Sequence, residues 1–228
     1  MTNQEILKHV DHTQLQPFAT WQDIVKLCDE AVKYGTASVC IPPCYIRRVH
    51  DTYGEKLNLC TVVGFPLGYS VTQAKVAETR QALLDGCSEI DMVINISDVK
   101  NGNFDAVEQE IRTLKEVCGS HILKVIIETC YLTREEKIAM CKVVTASGAD
   151  YIKTSTGFGT GGATKEDIEL FAGFIGPDVK MKAAGGISKK EDLEMFLGLG
   201  CDRIGTSRAV GLLKEDLKNG KYGNRGAT

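Results

Sequence analysis

Five glycines of this chain close a predicted helix and open the same short phrase. KYGTASVCI surrounds Gly35, LDGCSEIDMV Gly86, VCGSHILKVII Gly119, ASGADYIK Gly148 and GLGCDRIG Gly200. A glycine just past a helix end takes the left-handed conformation that closes the helix. The runs that follow are short, nearly continuous and rich in Val and Ile, as parallel strands covered on both faces are. LCTVV at 59–63 and VKMKA at 179–183 read the same way. Helix starts are marked too. Thr20/Asp23, Ser70/Gln73, Thr133/Glu136, Thr164/Asp167 and Ser188/Glu191 have the spacing of capping boxes. Behind Thr20, the residues Ile24, Leu27, Cys28 and Ala31 repeat at helical spacing.

Strands are predicted near 10–13, 37–41, 59–63, 89–94, 122–127, 150–153, 179–183 and 201–205. Helices are predicted near 20–34, 43–53, 70–85, 103–117, 133–146, 164–174, 188–198 and 207–217. Strands alternating with helices through right-handed crossovers build a parallel sheet. Eight such units closing on themselves make an α/β TIM barrel, (β/α)8. The rival, an open doubly wound sheet, carries a glycine fingerprint after its first strand, and VDHTQLQP has none. A chain of 228 residues suffices for one such domain. The expected division is a barrel over 1–217 with a short extra N-terminal helix, then a flexible polar tail over 218–228.

A net charge of −3 argues against nucleic acid or an anionic membrane as the main partner. The N-terminal stretch lacks the apolar segment of a signal peptide, and no apolar run reaches the ~18 residues of a membrane span. Nine scattered cysteines without a CxxC pair fit reduced thiols in a cytoplasmic protein. His9, Asp11 and His12 lack a fourth ligand at a sensible spacing, so no metal is expected.

In this fold the C-terminal strand ends form the active face. Those ends are Asp11, Cys40, Asp91 with Asn95, Glu128, Lys153, Lys182, Gly205 and Ser207. Singly, each has a plain reading: a turn cap, a core thiol, a solvated loop, a lysine reaching outward. Together they suggest chemistry. Asp91 lies within the apolar EIDMVIN, where an unpaired carboxylate costs several kcal/mol. Lys153 and Lys182 end neighbouring predicted strands. Two ammonium groups in one partly dry site cannot both stay charged cheaply, so one is expected to shed its proton. Lowering a lysine from about 10.4 to about 7 takes roughly 4–5 kcal/mol, and a neutral lysine attacks carbonyls. Lys180 shares parity with Lys182 and is expected near the barrel bottom with an acid partner. AAGGI (183–187) and IGTSRA (204–209) occupy the two loops that commonly bind phosphate in this fold, and Thr156, Gly157 and Gly159 stand ready to contribute.

VDHT (10–13), SVCIPP (38–43), VVGFPLG (62–68), EIDMVIN (89–95), YIKTSTGF (151–158), KAAGGI (182–187) and RIGTSRA (203–209) together resemble the deoxyribose-phosphate aldolases, a class I, Schiff-base-forming family. The resemblance covers nearly the full chain. It implies reversible cleavage of 2-deoxy-D-ribose 5-phosphate to acetaldehyde and D-glyceraldehyde 3-phosphate, without a cofactor or metal. By the same resemblance, Lys153 forms the Schiff base, Lys182 perturbs it and Asp91 relays protons. Asp11 and Cys40 line the pocket in the family, and the strand ends and loops add Thr13, Asn95, Thr156, Gly157, Gly185, Gly186, Gly205 and Ser207 as the expected substrate contacts. A homodimer is plausible for the family. The chain departs from some members at Phe158, where they carry a phosphate-binding lysine, and at its C-terminus, where its last tyrosine, Tyr222, is given no role.

Overall fold

The computed structural model describes residues 1–219. Eight parallel strands close into a barrel in sequence order: β1 (Val10–Thr13), β2 (Ser38–Cys40), β3 (Leu59–Val63), β4 (Glu89–Val93), β5 (Ile122–Ile126), β6 (Tyr151–Lys153), β7 (Lys180–Ala184) and β8 (Arg203–Thr206). Closure comes from β1 pairing with β8, Asp11 opposite Gly205. Every predicted strand is present, its ends within two residues of expectation.

The helices are α1 (Asn3–Leu7), α2 (Trp21–Tyr34), α3 (Ile46–Tyr53), α4 (Thr72–Leu84), α5 (Ile96–Lys100), α6 (Phe104–Cys118), α7 (Arg134–Ser147), α8 (Lys165–Phe174), α9 (Lys190–Gly198) and α10 (Ala209–Asn219). The expected N-terminal helix is α1. Thr2 caps it in a capping box with Glu5, and Ile6 and Leu7 are fully buried. Thr20, Thr133 and Thr164 cap α2, α7 and α8 as the spacing predicts. Ser70 and Ser188 do not cap. Val71 and Lys189 hold those positions, and at α9 the reciprocal acid is Asp192. The five-residue α5 was not predicted. The final helix reaches Asn219, two residues past the expected end of the barrel domain, and the rest of the expected tail lies outside the described residues.

Strand side chains alternate faces, and here the two faces are chemically opposite. Ile90, Met92, Leu123, Val125, Ile152, Met181, Ala183 and Ile204 join the continuous apolar cluster that includes helix residues such as Ile24, Ile111, Met140, Phe171 and Leu193. The other face carries Asp11, Glu89, Asp91, Lys124, Lys153 and Lys182, each no more than 4% exposed. Burying apolar area on the outer face, at roughly 25 cal/mol per Å², is the driving force that lets the interior be polar.

Candidate active site

The charged residues of the barrel interior form one connected cluster. Asp91 accepts four hydrogen bonds. Its Oδ1 takes Lys124 Nζ at 2.9 Å and Cys60 Sγ at 3.1 Å; its Oδ2 takes Lys153 Nζ and Lys182 Nζ, both at 2.7 Å. Lys124 also meets Glu89 at 2.6 Å, and Lys182 pairs closely with Asp11. Arg203 joins Asp11 to Glu89, reaching Glu89 Oε1 at 2.7 Å. Four cationic side chains thus face three carboxylates. Fully ionised, the cluster carries one positive charge too many.

Electrostatics fix most of these charges. Burial works against Asp91's charge, but Lys124, Lys153 and Lys182 outweigh it and hold the carboxyl well below its usual range. Asp11 goes the same way: Lys182, Lys124 and Arg203 overcome burial. Burial also opposes Lys182's charge, yet Asp11 and Asp91 raise it above the ordinary lysine value, so Lys182 remains a cation. The pair expected from sequence is therefore joined, not bare. Lys153 and Lys182 sit side by side in register and share one carboxylate oxygen. Two hydrogen bonds to one atom keep their nitrogens no farther apart than the sum of the two distances.

Above the cluster opens a cavity of about 420 Å³, large enough for a small sugar phosphate. Lys153 is the cluster member in its wall. Thr13, Thr156, Gly157, Gly185, Gly186, Gly205 and Ser207 line it. Asp11, Cys40, Asp91 and Lys182 are buried beneath, none of them exposed to solvent. Asn95 does not join them. It caps α5, accepting from Ser97 N and donating to Asp98. Thr156 is in the wall, but its hydroxyl donates to Glu128 and accepts from Phe158 N, so its proton does not face substrate. Phe158 lines the cavity and packs edge-on against Phe65.

Glycine has a specific use at two points here. A Cβ on Gly205 would lie 3.2 Å from Lys182 Cε, so the missing side chain leaves room for that lysine. A Cβ on Gly162 would lie 2.3 Å from the Gly185 carbonyl oxygen, so the loops after β6 and β7 touch backbone to backbone. The glycine-rich stretch after Lys153 is needed for that close approach.

Other expectations resolve differently. Lys180 lies at the bottom of β7, exposed, 3.8 Å from Asp202, as expected of a lysine outside the site. His9, Asp11 and His12 do not converge: His9 turns to Asp202 O, His12 to Glu30. Cys40, Cys60 and Asp91 do bring donor atoms within 4.8 Å of one another. Three ammonium groups already occupy that carboxylate, which opposes a bound cation. Tyr222 lies outside the described residues. Lys124, Glu89, Arg203 and the cavity-wall Arg208 were missed from sequence. Strand parity was the available signal: Glu89 is two residues before Asp91, and Arg203 two before Gly205.

An eight-stranded parallel barrel with a buried polar site beneath a cavity at its C-terminal face fits an aldolase, a carbon–carbon lyase. The chain matches the DeoC/LacD family aldolases over residues 6–211 and belongs to that family. It is 72% identical over 220 residues to a deoxyribose-phosphate aldolase of Clostridium botulinum (strain Alaska E43 / Type E3), covering 96% of this chain and 100% of that one. Its fold superposes on a putative deoxyribose-phosphate aldolase from Coccidioides immitis with a TM-score of 0.91 at 37% identity, over 95% and 87% of the two chains. The deoxyribose phosphate aldolase of Aeropyrum pernix, described as tetrameric, aligns with a TM-score of 0.88 at 30% identity, over 96% and 93%.

Proposed function

We propose that this chain cleaves 2-deoxy-D-ribose 5-phosphate reversibly to acetaldehyde and D-glyceraldehyde 3-phosphate, with Lys153 as the Schiff-base nucleophile. The observation that carries the residue assignment is the shared Asp91 Oδ2. Of the two amines bound there, Lys182 is locked by a second carboxylate, whereas Lys153 has, among the described residues, Asp91 alone as its ion-pair partner, and it reaches the cavity wall. Lys153 adds as its free amine to the C1 aldehyde of the open-chain sugar, and the carbinolamine takes up a proton and loses water to give the iminium. The iminium draws electrons from the C2–C3 bond. The C3 hydroxyl gives up its proton, the bond breaks, glyceraldehyde 3-phosphate departs and an enamine stays on Lys153. Protonation of the enamine and hydrolysis release acetaldehyde. Asp91, an ionised carboxylate at rest, orients the two lysines and, with Lys182, relays the moving proton through a water beside them.

The far end of the substrate is a phosphate. In this reading it rests among Gly185, Gly186, Gly205 and Ser207, with Arg208 as the cation of that wall. Holding it converts remote binding into placement of C1 against Lys153. The same reading keeps a homodimer, which light scattering of the purified protein distinguishes from a tetramer, and a cytoplasmic location. The deciding experiment is borohydride reduction in the presence of acetaldehyde, followed by peptide mass mapping. The adduct is expected on the peptide bearing Lys153. An adduct elsewhere, or none, ends this assignment.

A further inference from the structure

The reaction just described leaves Glu128 without a task, yet the chain adopts an unfavourable conformation to place it. Glu128 follows β5 with φ 51° and ψ 66°, the left-handed region that non-glycine residues seldom occupy. Its side chain is buried, the residue being only 2% exposed. Oε1 accepts the backbone N–H of Thr156 at 3.1 Å, and Oε2 accepts a short bond from the Thr156 hydroxyl. That hydroxyl in turn accepts Phe158 N at 3.0 Å. One residue on, Thr129 N donates to Thr154 O at 2.9 Å, tying the same two segments by backbone. A Cβ on Gly159 would come within 3.1 Å of Glu128 Cδ, so the loop lies directly against the carboxylate.

A carboxylate taken out of water must recover its lost hydration from hydrogen bonds. Two of its three side-chain hydrogen bonds come from one residue, Thr156, which belongs to the cavity wall; the third is a long one from Cys130 Sγ at 4.0 Å. Thr156 therefore transmits an orientation and does not itself donate to substrate. We infer that Glu128 is a positioning residue: by holding both donors of Thr156 it sets the 156–159 loop so that its backbone meets the phosphate end of the sugar phosphate. The inference rests on the aldolase reading above and extends it to substrate discrimination. Burial pushes the Glu128 carboxyl up, with Thr156 and Lys153 acting the other way. A neutral isostere removes a buried charge, so Glu128→Gln is expected to fold. It keeps the shape of the side chain but only one acceptor, and releases one of Thr156's two donors.

The test measures kcat/KM for 2-deoxyribose 5-phosphate and for 2-deoxyribose, in the wild type, Glu128→Gln, Thr156→Val, Thr156→Ser and the Glu128→Gln/Thr156→Val double variant. Glu128→Gln is expected to lower the ratio of the two values by roughly tenfold or more, what a hydrogen bond to a charged group is worth, mainly through KM for the phosphate ester. Thr156→Val lowers it comparably, Thr156→Ser retains it, and the double variant is no worse than the worse single one. An unchanged ratio in Glu128→Gln overturns the inference. So does an additive double variant, which would place Glu128's influence elsewhere. Acetaldehyde trapping on wild-type Lys153 separates the two levels. No trapping removes the aldolase reading; trapping with an unaltered ratio in Glu128→Gln removes only the role of Glu128.

Discussion

Asp91 is bonded by three ammonium groups and a thiol, so almost any change around it leaves a buried charge exposed to the wrong neighbours. Lys124 is the cleanest probe, because it is fully buried beneath the site and absent from the cavity wall. Lys124→Met strips a cation from Asp91, Glu89 and Asp11 together. It is expected to cost about 3–5 kcal/mol of unfolding free energy, read from urea denaturation. The pH dependence follows from the shifted groups. Asp11 and Asp91 are depressed against the pull of burial, so their stabilisation is present above the unfolded carboxylate value and lost as pH falls through the folded one. Lys182 and Lys124 are raised by their carboxylates, again against burial, so theirs is present below the unfolded lysine value and lost in strong alkali. The stability gap between wild type and Lys124→Met should stay level from about pH 5 to 9 and shrink below about pH 4. A gap that drifts across the neutral range would contradict the cluster's assigned charges. Arg208→Ala, at the other end of the cavity, is expected to raise KM for the phosphate ester roughly tenfold while 2-deoxyribose is little affected. At this scale Lys153 and Lys182 were legible because each stands at or near the end of an apolar run, and Asp91 because a carboxylate inside the apolar EIDMVIN calls for a partner. Lys124 was not. It sits inside ILKVII, where one cation among five aliphatic residues looks like an interruption, and its partners come from β1 and β4, far off in sequence.

Capping explains both what the elements revealed and what they concealed. Thr133 accepts from Glu136 N while Glu136 reaches back to Thr133 N at 2.7 Å. Thr133→Ala should cost about 1 kcal/mol, measurable as a lower urea midpoint with unchanged kinetics. Ser70 and Ser188 carry the same spacing, but the helices begin one residue later than the pattern implies. A spacing rule sees which residues could bond, not which backbone conformation precedes them. The short α5 escaped notice because five residues complete barely more than one turn and show no apolar period. The loop after β6 was legible as glycine-rich, but its contact with the loop after β7 depends on both strands lying in register. Gly162→Ala would drive a methyl into the Gly185 carbonyl. It is expected to part the two loops and weaken phosphate-ester turnover well before it affects trapping at Lys153.

At the scale of the whole molecule, alternation of element types was sufficient to foresee the barrel, since a right-handed parallel sheet of eight short strands has few other ways to finish. What alternation could not convey is the inversion of polarity: a barrel interior normally packed with branched aliphatic side chains holds a salt-linked cluster in this chain. Periodicity reports that one face differs from the other, and with both faces buried it does not report which face holds charge. The closure itself has a topological corollary. With Asp11 of β1 laddered to Gly205 of β8, and Asn3 of α1 donating to Leu213 O of α10, the first and last described elements meet at a seam paired like the other joints of the ring. Such a circle has no privileged starting point. A circular permutant that joins those elements and opens instead at the exposed Asn101–Asn103 bend would inherit every strand neighbour the natural order provides.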